Sequence, residues 1–216
     1  MEEPQTQTQP MRLSFWEMLA GTFISPSDTL SRIAQQRPIG WAIGFTVVLN
    51  TFSCISSALF FKENTLELGT IACKEFSLTS LALDIAQNLL EFVVFVTLVH
   101  GIIRIFKEEG SYRGAFSALA FAMAPPMILL NFMSIWASFS AQPVWPFPFA
   151  LKNLNSAQIF LLLFCLFILI WMITLGAMAI RAHYKITAMG SIVTYILARI
   201  ADSLIFRAIE RLFEFL

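Results

Sequence analysis

The sequence predicts an all-α fold: a polytopic membrane helical bundle of about five transmembrane helices, preceded by an N-terminal interfacial amphipathic helix. Two observations predict it. The composition is 57% hydrophobic and only 13% charged, whereas soluble domains carry ~25% charged residues. The apolar residues also gather into segments of about 20, the length an α-helix needs to cross a ~30 Å hydrocarbon layer at ~1.5 Å per residue. The 216 residues are nearly consumed by these segments and their connectors, which leaves no room for a separate soluble catalytic domain.

Residues 1–10 read as a polar, disordered tail rich in Gln, Thr and Pro. They lack the basic region and short apolar core of a cleaved secretory signal. Residues 11–38 read as interfacial or cytoplasmic amphipathic helices. Leu13, Phe15, Trp16, Leu19, Phe23 and Ile24 alternate with Arg12, Ser14 and Glu17, and Trp16 suits the headgroup level. Ser25-Pro26-Ser27-Asp28 then predicts a helix start, with Ser25 as cap, proline in the first turn and Asp28 at the positive end of the dipole. That helix should stop near Gln36, because Pro38 disfavours the α conformation at Arg37.

The membrane domain is expected over residues 39–216, with spans at about 39–61, 81–103, 115–139, 159–180 and 189–210. In the third span Pro125-Pro126 removes two backbone donors, which predicts a helix break or kink facing protein or water. Residues 142–149, rich in proline and aromatics, suit an ordered interfacial loop. Arg12, Arg32, Arg37, Arg104, Lys107, Arg113, Arg181 and Lys185 fall on one side of the membrane, against Lys62, Lys74 and Lys152 on the other. The positive-inside rule therefore predicts a cytoplasmic N-terminus. The last segment is ambiguous: Arg199, Asp202, Arg207, Glu210, Arg211 and Glu214 recur among apolar residues, a pattern that suits either a span with a polar face or an interfacial helix.

The second span carries the chemistry that most needs an explanation. Asp84, Gln87, Asn88 and Glu91 fall at i, i+3, i+4 and i+7 and so share one stripe. A charge near a bilayer centre costs about 2.5–3.5 kcal/mol on insertion scales, so this stripe must face the bundle interior or a wet cavity. At 1.5 Å per residue, Glu91 lies about 18 Å and Arg199 about 15 Å from the basic end, and Asp84 and Arg207 about 28 Å and 27 Å. These matched depths predict two neutralising pairs, Glu91 with Arg199 and Asp84 with Arg207. His100 lies far around the helix from Asp84 and is expected to cap packing near the boundary or to bond a backbone carbonyl. Asn50 and Asn131 are expected to make interhelical hydrogen bonds.

Other chemistry is argued against. Net charge is zero, so no basic field points to nucleic acid. Cys54, Cys73 and Cys165 show no CxxC or Cys/His spacing and read as structural. No HExxH, GxSxG, GxGxxG or Walker pattern occurs. The sequence thus predicts no catalytic, cofactor or metal site.

Several pieces in order resemble the Yip family, five-span membrane proteins named for interaction with Ypt/Rab GTPases, and in particular its prokaryotic branch. They are Ile24-Ser25-Pro26 with Thr29, Leu30 and Ile33; His100 and Arg104; Gly110-Ser111; Ala120-Phe121-Ala122-Met123-Ala124-Pro125; and Trp171 followed by the connector 182–188. The resemblance covers roughly residues 15–200 and implies the fold and a place in a bacterial inner membrane. The acidic-Leu-Tyr-Gly motif that eukaryotic members associate with their GTPase partner is missing, so Rab binding is not implied. What is expected is a non-catalytic scaffold or adaptor whose partners are the lipid bilayer and other membrane proteins or further copies of itself. The alternative is a small transporter or ion pathway using the polar stripe, with Pro125-Pro126 at its broken helix.

Overall fold

A computed structural model describes residues 12–64, 78–106, 110–139 and 156–214. The expected tail 1–10, Cys73, Lys74, Lys107, the loop 142–149 and Lys152 lie outside the described residues. Seven helices follow one another: α1 (Phe15–Ile24), α2 (Pro26–Gln36), α3 (Ile39–Asn64), α4 (Leu78–Phe106), α5 (Tyr112–Phe139), α6 (Ser156–Tyr184) and α7 (Ala188–Glu214). All regular structure among the described residues is helical.

Helix α1 starts in a capping box. The Ser14 side chain accepts from the Glu17 amide, and the Glu17 carboxylate accepts from the Ser14 amide at 2.7 Å. This satisfies two backbone donors that the first helical turn would otherwise orphan. The box also corrects the expected capping at Ser25, whose side chain makes no cap hydrogen bond to α2. Helix α2 does end at Gln36, with Arg37 in the left-handed region at φ 51° immediately before Pro38. The two short helices fold against each other as a hairpin, joined also by the Leu13 amide donating to Gln36 Oε1 at 3.1 Å.

Helices α3, α4, α5 and α6 are each long and apolar enough to cross a membrane. Helix α5 is the centre, packed against α3, α6, α2, α1 and α4, and its stretch from Ala115 to Pro126 is buried throughout. Composition explains why. Ala115, Ser117, Ala118, Ala120, Ala122 and Ala124 are small, which lets neighbouring backbones approach where apolar side chains gain little from leaving lipid. The outer surface of α6, by contrast, exposes Leu163, Leu166, Phe167, Leu169 and Ile170, as a lipid-facing surface must.

Pro125 and Pro126 do not break α5. Both lie inside a single helix that continues to Phe139, so of the expected break or kink, the break is corrected. The missing donors would have served the carbonyls of Phe121 and Ala122. Both residues sit in the middle of the buried stretch, where packing from several neighbours holds the helical path without those two bonds.

Helix α7 matches α3 to α6 in length, but its charges keep it out of the set that qualifies as a crossing by hydropathy alone. It packs alongside α4 and α6, with Tyr195 set edge-on against Phe95 at 5.4 Å between centroids.

Candidate functional site: a charged cavity inside the bundle

The polar stripe of α4 reaches both α3 and α7. Asn88 Nδ2 approaches Cys54 Sγ of α3 at 3.5 Å, and the carboxylate of Asp84 lies close enough to act electrostatically on the same thiol. One turn further along, Gln87 Nε2 donates to Glu91 Oε1 at 3.1 Å. Glu91 and Asn88 then border a cavity of about 230 Å³ whose wall also includes Thr46 and Asn50 of α3, Met123 of α5 and Arg199 of α7. Asn50 is thus a cavity residue, while Asn131 is buried with its Nδ2 unpartnered among the described residues.

The predicted pairing of Glu91 with Arg199 is corrected. The two share the cavity, as the depth argument required, but Arg199 Nη1 pairs with Asp202 Oδ2 on its own helix at 3.6 Å. The guanidinium lies over the ring of Phe95, 3.9 Å from the centroid, and Nη2 points at Met123 Sδ at 3.8 Å. Asp202 is nearly buried, its other oxygen makes no hydrogen bond among the described residues, and it lies near enough to Glu91 for the two carboxylates to interact. The physical reason for the correction is local geometry: an acid three residues on occupies the same helical face as Arg199 at no cost in register. Nor do the described residues show the expected pair of Asp84 with Arg207. Arg207 is exposed on the outer half of α7, while Asp84 looks toward Cys54.

Sequence reasoning missed Phe95, Met123, Tyr195 and Asp202 as the residues that hold Arg199. Two signals pointed to them: the i, i+3 spacing of Arg199 and Asp202, and Gly176 within α6. A Cβ on Gly176 would overlap the Tyr195 ring, so this glycine admits the residue that seats α7.

A second polar group closes the opposite end of the core. His100 Nδ1 is hydrogen-bonded to the Tyr184 hydroxyl at 2.5 Å, joining α4 to α6 through side chains where packing at the boundary or a backbone carbonyl had been expected. His183 Nε2 stands 3.0 Å from the Ser111 amide nitrogen and 2.8 Å from the Ser111 carbonyl oxygen. When bare it accepts from the amide, and when protonated it donates to the carbonyl. A Cβ on Gly110 would overlap the Tyr184 ring, and one on Gly114 would overlap the His183 ring. Among the described residues no group of three or more His, Cys, Asp or Glu is arranged to hold a metal ion.

The helix lengths and their apolar outer faces define a multi-pass integral membrane protein. Within that class the chain belongs to the Yip1 domain family, whose model matches residues 20–205. No curated protein and no solved structure matches the sequence.

Proposed function

We propose that the protein is a non-catalytic membrane scaffold or adaptor, acting through helix packing and through short elements held at its basic end. In this reading the N-terminus is cytoplasmic, α7 makes a fifth crossing, and the membrane is a bacterial inner membrane. The observation that carries it is the α1–α2 hairpin. Leu30 and Ile33 are fully buried, in a helix packed on α5 and α6, while Ser27, Asp28, Arg32 and Gln35 are exposed. A helix clamped this firmly presents a fixed polar surface beside the bilayer, which suits another membrane protein or a second copy of the chain. The basic residues around it favour the cytoplasmic side. Rab-type GTPase recognition is left out, because the motif associated with it is missing.

Cross-linking in native membranes tests the scaffold. Single cysteines at Ser27 and Gln35, in a chain with Cys54, Cys73 and Cys165 replaced, should give discrete protein adducts, while one at lipid-facing Leu166 should not. Equal adducts at all three positions, or none at the hairpin, contradict the reading.

A second reading, a small solute or ion pathway, is favoured by one observation: Glu91 and Arg199 border a common cavity without pairing. Intramembrane charges at a shared cavity are the usual lining of such paths. Reconstituted vesicles decide it. Flux that disappears in Glu91→Gln while the protein stays folded supports the pathway, and flux unchanged by that substitution removes it.

A further inference from the structure

At the basic end, on the other side of the core from the charged cavity, lies a larger space of about 510 Å³. Its wall includes Ser31, Gln35 and Arg37 from the end of α2, Ser111 at the start of α5, and His183 and Lys185 at the end of α6. Among the described residues its lining contains cations, hydroxyls and an amide but no carboxylate. The size falls within the ~300–1,000 Å³ usual for small-molecule sites. We propose that this cavity binds the phosphate-bearing headgroup of an anionic phospholipid.

Depth along the bundle is the first argument. Arg37 precedes the apolar span that starts at Ile39, Ser111 precedes the one that starts at Tyr112, and Lys185 follows the one that ends at Tyr184. Each polar lining residue from these three junctions therefore sits just outside hydrocarbon, where headgroup phosphates lie. Backbone conformation is the second. Arg37 and Lys185 are the two non-glycine residues with positive φ among those described, at 51° and 52°. The left-handed region costs a side chain such as arginine or lysine about 1–2 kcal/mol, and asparagine or glycine would fit better. Both junctions nevertheless place a long cation there, and both cations line this one cavity. Each also ends its helix, the Arg37 amide donating to the Ile33 carbonyl and the Lys185 amide to the Arg181 carbonyl, so these two helix stops fix where the cations stand.

Electrostatics supply the third argument. Arg37 is near enough to His183 to act on it; the amino end of α5, capped by Ser111 through the Gly114 amide at 3.2 Å, meets the carboxyl ends of α2 and α6 here, so the attraction for an anion comes from the side-chain cations. Arg104, Arg113 and Arg181 are exposed at the same end and add to the attraction for an anionic leaflet. The chemistry recognised is a phosphodiester. An acyl-linked one arrives already at this depth, whereas a free phosphate pays its full loss of translational freedom.

The test uses the full chain in neutral detergent, titrated with dioleoyl phosphatidylglycerol, dioleoyl phosphatidylcholine or inorganic phosphate, with thermal unfolding and native mass spectrometry as readouts. Phosphatidylglycerol should raise the melting temperature and remain bound, and phosphatidylcholine should do neither. Arg37→Asn tolerates the left-handed backbone, so it should unfold at the parent temperature without lipid yet bind phosphatidylglycerol about fivefold more weakly; adding Lys185→Asn, which also removes the interaction Lys185 makes within the protein, should bring the weakening to roughly thirtyfold. Gln35→Glu, on the exposed face of α2, should weaken binding with both cations in place and guards against a folding artefact. Equal stabilisation by both lipids, or binding unchanged in both variants, overturns the proposal. Stabilisation by inorganic phosphate equal to that by phosphatidylglycerol overturns the lipid as the source of the anion. The site is separate from the hairpin cross-links and from any flux through the charged cavity, so each result stands by itself.

Discussion

The guanidinium of Arg199 lies 3.9 Å above the ring of Phe95, and this contact is how α7, the least apolar long helix, is fastened to α4. The pairing uses the ring quadrupole, and with Arg199 partly exposed such a contact is worth about 0.5–1 kcal/mol. Phe95 is fully buried. Replacing it with leucine keeps most of the apolar volume and removes the π face, so Phe95→Leu should lower the unfolding free energy in detergent by about 1–2 kcal/mol. Phe92→Leu, on the same helix but not under Arg199, should cost less.

Close approach at the basic end makes a graded prediction for glycine. Gly114→Ala drives a methyl into the His183 ring and to 2.8 Å from the Ala34 carbonyl oxygen, and overpacking of this kind costs about 1–3 kcal/mol. Gly110→Ala adds an unfavourable φ of 119° to its overlap with Tyr184. Gly44 has nothing within 4 Å of its added Cβ, so Gly44→Ala should be neutral or slightly stabilising. Unfolding of the three variants side by side checks the order.

Helix α1 should respond to pH through its cap. The Ser14 backbone amide, and then its hydroxyl, hold the Glu17 carboxyl below its ordinary range. A folded-state pKa below the unfolded one gives stability that is present at neutral pH and is lost as pH falls through the folded value. Acid should therefore loosen α1 before it affects the buried core, seen as faster amide exchange over Phe15–Ile24. Ser14→Ala removes the cap and should produce that faster exchange already at neutral pH, at a cost of about 1 kcal/mol to the helix.

The His100–Tyr184 hydrogen bond predicts a further asymmetry. Tyr184→Phe keeps the ring that packs against Gly110 but leaves His100 Nδ1 without this partner. A buried hydrogen-bonding group stripped of its partner costs about 1–3 kcal/mol, discounted here because His100 is only half-buried. Stability should fall by about 1 kcal/mol for Tyr184→Phe and further for Tyr184→Ala, which also empties the ring site; equal losses would contradict the role of the hydroxyl.

Much of the architecture was legible because it follows from length and polarity. Four apolar stretches are long enough to span a membrane, and the amphipathic α2 stops where Pro38 requires. The common depth of Glu91 and Arg199 was legible from rise per residue alone. Their failure to pair was not, because depth fixes a position along a helix axis and says nothing of its rotation. Rotation is set by packing, by Gly176 admitting Tyr195 and by Phe95 lying beneath Arg199. Pro125 and Pro126 show the same limit: the lost donors are local, whereas the burial that carries α5 through them comes from its neighbours.

The central structural claim is that Arg199 is neutralised by Asp202 within α7, while Glu91 faces the cavity. Double-mutant cycles on unfolding in detergent measure it, pairing Arg199→Gln with Asp202→Asn and with Glu91→Gln. Arg199 is more than a third exposed, so solvent screening reduces the pair to about 1 kcal/mol. The account predicts a coupling of about that size for Arg199 with Asp202 and less than about 0.5 kcal/mol for Arg199 with Glu91. The larger coupling between Arg199 and Glu91 would contradict it.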